Sequence, residues 1–286
     1  YNPKQPLPLI PCSDGVGEVA AVGEGVDRVS VGDRVATLFH QEWVGGPATR
    51  DKIGATLGGP LDGTLAEAMV LPAAGVITVP DHLTDVEAAT LPCAGLTAWS
   101  ALATLGNVRA GDVVLVQGTG GVALFALQFA VALGARVIIT SSHDHKLETA
   151  RKLGSWKEIN YKENPQWGKT AKELTGGTGV DHVVELGGAG TLTQSLRAIR
   201  TGGHISLIGV LAGHAVDLNI LPIVMGNVRV QGILVGSRDS FEAMSRAITR
   251  HRLRPVIDRV FPFDEAREAM LYMTGQRHVG KVSIEF

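Results

Sequence analysis

The sequence predicts an α/β protein in which a doubly wound parallel sheet is inserted between two stretches of a β-rich domain. Three observations carry this. From Val113 to Val235 short apolar strands alternate with helical stretches, the pattern of a parallel sheet. On either side, residues 15–79 and 254–286 break into short strands separated by Gly, Asp and Pro turns. Finally, 36 of 286 residues are glycine, about 13% against a usual ~7%, so tight turns are frequent. At roughly 150 residues per domain the chain makes two: residues 1–92 with 240–286, and an insert at 93–239.

The elements follow in order. Gly15–Thr37 is a set of short Val- and Ala-rich runs cut by Gly-Glu-Gly and Gly-Asp turns, and predicts short antiparallel strands. His40–Pro60 is Gly-rich without a period and reads as a loop. Strands are predicted at Ala66–Leu71 and Val76–Val79. Thr84-Asp85-Val86-Glu87 has capping-box spacing and starts a helix at Asp85. Strands are then predicted at Val113–Gln117, Arg136–Thr140, Glu158–Asn160, His182–Leu186, His204–Ile208 and Val228–Val235. Helices separate the first five, at Val122–Leu133, Asp144–Leu153, Gln166–Leu174 and Thr191–Ile199. The tail predicts strands at Val256–Val260 and Lys281–Phe286 around a helix at Asp264–Met273.

Composition excludes several functions. Lys and Arg total 26 against 28 Asp and Glu, a net charge of −2, too balanced for a phosphate-binding surface or an anionic membrane face. Neither nucleic acid nor membrane is expected as a partner. With 45% hydrophobic and 19% charged residues, the chain folds by burial rather than remaining a disordered polyelectrolyte. Two cysteines cannot form a disulfide framework, so a reducing, cytoplasmic setting is expected. Gly118–Val137 approaches the ~20 residues that cross a bilayer, but its glycines, Gln128 and Arg136 interrupt it and no basic flank orients it. The opening Tyr1-Asn2-Pro3-Lys4-Gln5-Pro6 lacks the pattern of a signal peptide and an initiator Met, so further strands are expected upstream.

The strand at Val113–Gln117 runs into Gly118-Thr119-Gly120-Gly121-Val122-Ala123, which satisfies G-x-G-x-x-A. Gly118 permits the tight turn, Gly120 lets backbone approach a pyrophosphate, and Ala123 lets the helix pack close to the sheet. The diphosphate then meets backbone N–H groups at the positive end of a helix. About 20 residues on, an acidic residue at a strand tip would grip a ribose 2′-hydroxyl. Here that tip reads Thr140-Ser141-Ser142-His143-Asp144-His145-Lys146. Hydroxyls and an amine suit a 2′-phosphate, so NADP(H) is preferred over NAD(H). Asp144 is the competing ribose ligand, or a helix-start residue with Ser142 as its cap.

Leu91-Pro92-Cys93-Ala94-Gly95-Leu96-Thr97-Ala98-Trp99, Gly111-Asp112-Val113 and Gly280-Lys281-Val282 together resemble the medium-chain dehydrogenase/reductase superfamily. So do Gly15-Val16-Gly17-Glu18-Val19 and Val31-Gly32-Asp33-Arg34-Val35. The likeness spans nearly the whole chain, with a looser match to the zinc-free quinone reductase and alcohol dehydrogenase-like branch. It implies a Rossmann sheet inserted in a GroES-like β-barrel domain, with the active site in the cleft between them. It also implies Thr97 beside the nicotinamide, Ile208 and Val210 along its edge, Val235 near the carboxamide and Lys281 near the pyrophosphate. Ser141, Ser142, Lys146 and Tyr161 fall where NADPH-preferring members hold the 2′-phosphate. A homodimer paired edge to edge through Val228–Val235 follows from the same likeness.

Zinc-dependent members hold a catalytic metal with a cysteine, a Gly-His-Glu segment and a second cysteine. Here the middle segment reads Cys12-Ser13-Asp14, and the stretch His40–Pro60 has none of the four cysteines of a structural zinc loop. No zinc is expected, the residual candidate being Cys12, Asp14 and Cys93. The resemblance implies hydride transfer between NADP(H) and a small carbonyl, enone or quinone. A zinc-dependent alcohol dehydrogenase and a non-catalytic NADPH-binding remnant are the alternatives. The Asn-Tyr pair of zinc-free relatives is absent, and Ala68 stands where many carry an aromatic residue.

Overall fold

The computed structural model describes residues 5–215 and 217–286. The chain divides into two compact units, residues 1–96 with 235–286, and residues 97–234.

In the first unit, β1 (Val16–Glu18), β2 (Arg34–Thr37) and β3 (Val76–Thr78) form an antiparallel sheet. Between β2 and β3, the stretch expected to be loop contains a one-turn helix, α1 (Arg50–Gly54), capped by the Thr49 hydroxyl. Ala66–Leu71, expected as a strand, is not one: its backbone pairs with no neighbouring strand, and side-chain alternation cannot make a strand without a ladder. α2 (Asp85–Ala88) starts with the predicted capping box: the Glu87 N–H donates to Thr84 Oγ1 at 3.3 Å, and the Thr84 N–H to Glu87 Oε2 at 2.9 Å. A helical segment then runs to Thr104, with α3 (Leu96–Trp99) between wider turns at Leu91–Gly95 and Ser100–Thr104.

The second unit is the parallel sheet. It contains β4 (Val113–Gln117), α4 (Gly121–Ala132), β5 (Arg136–Ser141), α5 (Asp144–Lys152), β6 (Lys157–Asn160), α6 (Trp167–Leu174), β7 (Val180–Glu185), α7 (Leu192–Ala198), β8 (Ile199–Leu207), α8 (Leu221–Met225) and β9 (Arg229–Gly232). The strands lie in the order β6-β5-β4-β7-β8-β9, all parallel. Leu115, Ile138, Val183 and Ile205 are fully buried in its core with Trp167 and Ala171. Each such large side chain contributes about 1.5–3 kcal/mol. The apolar run at Gly118–Val137 is explained here, because residues 123–130 of α4 are all buried. Among the described residues no helix is long and apolar enough to cross a membrane.

The chain returns to the first unit through α9 (Arg238–His251), β10 (Ile257–Pro262), α10 (Ala266–Thr274) and β11 (Lys281–Glu285), with β10 and β11 parallel. The sequence reading passed over α9. The Ser237 side chain accepts from the Ser240 N–H at its start, and Phe241, Met244 and Ile248 form its buried stripe.

Candidate functional site

In an open parallel sheet, ligands bind beyond the carboxyl ends of the strands, where the strand order reverses. That reversal falls between β4 and β7. β4 ends at Gln117, and the chain turns at Gly118 with φ +77°, a conformation that glycine adopts without strain. The Gly118 N–H donates to Thr140 O at 2.8 Å, tying the turn to β5. Gly120 is the N-cap of α4, and no side chain caps that helix. A Cβ added to Gly118 or Gly120 would meet no atom of the chain within 4 Å. The space over the turn is therefore open, while Ala123 beneath it is fully buried. Gly121 and Val122 open the first turn of α4. This is the geometry that receives a pyrophosphate on backbone N–H groups.

At the tip of β5, Thr119 Oγ1 lies 3.4 Å from Ser141 Oγ, joining the glycine turn to the strand end. Ser142 does not cap α5, as had been expected. His143 occupies that position without a side-chain cap, and Ser142 Oγ is instead 2.7 Å from His143 Nδ1. Asp144 Oδ1 accepts from Asn160 Nδ2 at 2.9 Å, so the rival ribose ligand is engaged. Lys146 is buried, at 7% exposure. Tyr161 is tied to the end of β5, its N–H donating to Ser141 O at 3.0 Å, and the residue is 40% exposed. Desolvation, followed by Lys162, Lys146 and His145, holds His143 below the ordinary imidazole range. Lys162 thus joins Lys146 in the cationic neighbourhood of this tip, while His143, so lowered, adds a polar ring rather than a charge.

The sequence also left a buried polar cluster undetected at the ends of β4 and β7. Glu185 has no exposed surface. Its Oε1 accepts from the N–H groups of Gly187 and Gly188, at 2.9 and 3.0 Å, and from Thr191 Oγ1 at 2.5 Å. Its Oε2 accepts from Gln117 Nε2 at 2.6 Å and from Ser195 Oγ. Gln117 Oε1 accepts from the N–H groups of Leu186 and Gly187, both at 3.1 Å. The only advance signal was one carboxylate closing the apolar run Val183-Val184-Glu185-Leu186. Beside the cluster, the half-buried Ile208 donates its N–H to Glu185 O at 2.9 Å, and Val210 is 56% exposed. Thr97 is buried in α3.

The other two predicted contacts belong to the first unit. Val235 is buried and has φ +51°, a rare conformation for a β-branched residue. Lys281 Nζ is 3.4 Å from Asp14 Oδ2. Asp14 also accepts from Ser13 Oγ at 2.9 Å, and burial pushes the nearby Cys12 thiol up, with Asp14 adding to the shift and Lys281 opposing it. Of the residual zinc candidates, Asp14 is engaged by Lys281, and by the family resemblance Ser13 stands where zinc-dependent members carry an imidazole. Among the described residues no cluster of three or more His, Cys, Asp or Glu could hold a metal ion.

A doubly wound sheet with an open glycine turn at its switch point is the architecture of a dinucleotide-binding domain. Comparisons agree. The zinc-binding dehydrogenase family model matches residues 121–250, and the alcohol dehydrogenase GroES-like domain model matches residues 1–81. A zinc-type alcohol dehydrogenase-like protein of Schizosaccharomyces pombe is 43% identical over 98% of this chain and 82% of its own length. An NAD-dependent alcohol dehydrogenase structure superposes with a TM-score of 0.91 at 33% identity, covering 100% of this chain and 85% of that one. A mycobacterial protein complexed with NADPH gives 0.81 at 29%, covering 99% and 84%. The chain belongs to the medium-chain dehydrogenase/reductase superfamily and is an oxidoreductase.

Proposed function

We propose that this protein is an NADP(H)-dependent oxidoreductase that moves hydride to or from a small carbonyl, enone or quinone without catalytic zinc. The observation that carries the reading is the open turn at Gly118–Gly121 beside a strand tip of hydroxyls and lysines, where the rival ribose ligand Asp144 is engaged by Asn160. In this reading the backbone of Gly118, Thr119, Gly120, Gly121 and Val122 receives the pyrophosphate. Ser141, Ser142, Lys146 and Tyr161 hold the 2′-phosphate, the role their counterparts play in the NADPH-preferring relatives. When bound, the nicotinamide supplies the hydride chemistry. Thr97, Ile208 and Val210 would fix the position of the ring, and the apolar pair would keep water from its edge. Val235 and Lys281 stay in the proposal as first-unit contacts by resemblance to the family.

The NADPH complex among the structural matches supports this preference, and the NAD-dependent match favours the alternative. Parallel calorimetry with NADPH and NADH decides between them: tighter NADPH binding is expected, and tighter NADH binding would overturn the preference. Turnover of a panel of enones, quinones, aldehydes and alcohols should survive chelation. About one equivalent of zinc, lost together with activity, would instead support the zinc-dependent alcohol dehydrogenase suggested by the relative's description. Tight nucleotide binding with no turnover of the panel would favour the non-catalytic alternative.

The proposal includes a cytoplasmic setting, in keeping with a cysteine count too low for a disulfide framework. It also includes a homodimer joined through β9, whose four residues are all exposed at the end of the sheet. Sedimentation as a monomer at micromolar concentration would remove the dimer.

A further inference from the structure

The loops that follow β7 and β8 are held together by backbone. Ala189 N–H donates to Gly213 O at 2.9 Å, and Ala212 N–H to Gly187 O at 2.7 Å. The approach leaves no room for side chains: a Cβ on Gly188 would lie 2.8 Å from Gly209 O, and one on Gly209 would lie 1.9 Å from Leu186 O. Five donors converge on the Glu185 carboxylate, from the end of β4, the loop after β7 and the start of α7. The Glu185 backbone O also accepts from the N–H groups of Ile208 and Gly209, at 2.9 and 3.2 Å. One residue thus joins three strand ends around the point where the strand order reverses.

The direction of these bonds is fixed. Gln117 Oε1 faces the Leu186 and Gly187 N–H groups, so its amide nitrogen must face Glu185. Both Glu185 oxygens meet only donors, which suits an ionised carboxylate and no other side chain of that size. A glutamine there would set an NH2 against another donor. Reversing Gln117 to relieve the clash would set a second NH2 against two backbone N–H groups. The cluster either keeps its carboxylate or reshapes the loops.

Resting on the dinucleotide reading above, we infer that Glu185 is a positioning residue for hydride transfer: through Gly187, Gly188 and Thr191 its carboxylate fixes the loops carrying Ile208 and Val210 against the nicotinamide half of the cofactor. It touches neither the adenosine half nor the reacting atoms. Its effect is therefore confined to one end of the nucleotide, which a general contribution to folding would not be.

The test is calorimetry of Glu185→Gln with NADPH and with 2′,5′-ADP, which lacks the nicotinamide. NADH and ADP are run in parallel, and the pair preferred by the wild type is the one read. The fragment is expected to bind the variant as it binds the wild type. The advantage of the intact nucleotide over the fragment should shrink by about tenfold or more, and any hydride transfer to a quinone acceptor by up to about 100-fold, as misplacement near 1 Å can cause. The fluorescence enhancement and blue shift of bound reduced nicotinamide should diminish as well. Equal weakening of nucleotide and fragment, or an unchanged advantage, would overturn the inference. Failure of the wild type to bind any of these ligands would overturn the dinucleotide reading beneath it. If Glu185→Gln does not fold, Thr191→Val keeps the carboxylate and removes one donor, and a smaller loss confined to the intact nucleotide is then expected.

Discussion

Two buried polar clusters lie on the same six-stranded sheet, and they differ in whether their atoms are satisfied. At the carboxyl ends, Glu185, Gln117, Thr191 and Ser195 pair every side-chain donor and acceptor they aim inward. Nearer the amino ends, His182 stands opposite His204 in the ladder between β7 and β8. His182 Nε2 lies 3.1 Å from Asp112 Oδ2, and His204 Nε2 lies 3.1 Å from Ser206 Oγ. The Nδ1 atoms of both rings are buried without a partner. A satisfied cluster rigidifies what it joins, whereas unpaired buried nitrogens leave a place that resists gaining charge. The sheet therefore keeps its precise loops at the ligand-binding end and an acid-sensitive point below them.

The largest expected effect tests that second half. Burial, with Arg229 and His182 adding to it, pushes His204 down from 6.5 to about 4, and burial also lowers His182 against the pull of Asp112. The folded state refuses a proton that the unfolded chain accepts. Stability is therefore complete above pH 6.5 and is lost as pH falls toward 4. A shift of this size corresponds to about 3 kcal/mol for His204. Urea unfolding at pH 7 and at pH 4.5 should show most of it, and His204→Leu should flatten the difference while leaving nucleotide affinity at pH 7 unchanged. An equal acid loss in the variant would remove the contrast between the clusters.

Gly120→Ala should do the reverse. Gly120 has an ordinary negative φ and open space around its missing Cβ, so the fold loses at most about 1 kcal/mol, the difference between these residues at an N-cap. The methyl group instead enters the space assigned to the pyrophosphate. Nucleotide affinity is expected to fall about 10- to 100-fold, with the acid slope intact. Unchanged affinity would place the ligand elsewhere.

Legibility in the sequence follows the same physics. In the middle of the parallel sheet β4, β5 and β7 are almost wholly buried and read as apolar runs, whereas the partly exposed β6 and the exposed β9 were legible from the strand–helix alternation, and the glycine turn from its motif. Ala66–Leu71 misled because its alternation has no ladder partner, and α9 was passed over although its cap and apolar stripe were present. Glu185, Thr191 and Ser195 were invisible for another reason. Each is unremarkable alone, and only the crossover topology brings Gln117, 68 residues away, within reach of Glu185.

The tip of β5 supplies a smaller effect. Ser142→Asp would add a carboxylate beside His143 and near Lys146 and Lys162, where the proposal puts a phosphate. Like charges there should cut NADPH affinity about tenfold or more and spare NADH, reversing the preference without touching the Glu185 cluster. Parallel titrations read the ratio, and a ratio that does not move would take the 2′-phosphate away from this tip.

The smallest expected effect lies in the first unit and serves as the control for the others. Thr84→Ala removes the hydroxyl half of the capping box on α2, while Glu87 keeps its partner Arg254 at 2.6 Å. Loss of such a cap costs about 1 kcal/mol, read as a lower urea midpoint at unchanged slope. Because the cap belongs to residues 1–96 and the glycine turn to residues 97–234, calorimetric affinity for the nucleotide should not change. A fall in affinity matching the fall in stability would mean that nucleotide binding reports the stability of the whole chain. The variants at Gly120 and Glu185 would then have to be judged at equal stability before either could be assigned to the site.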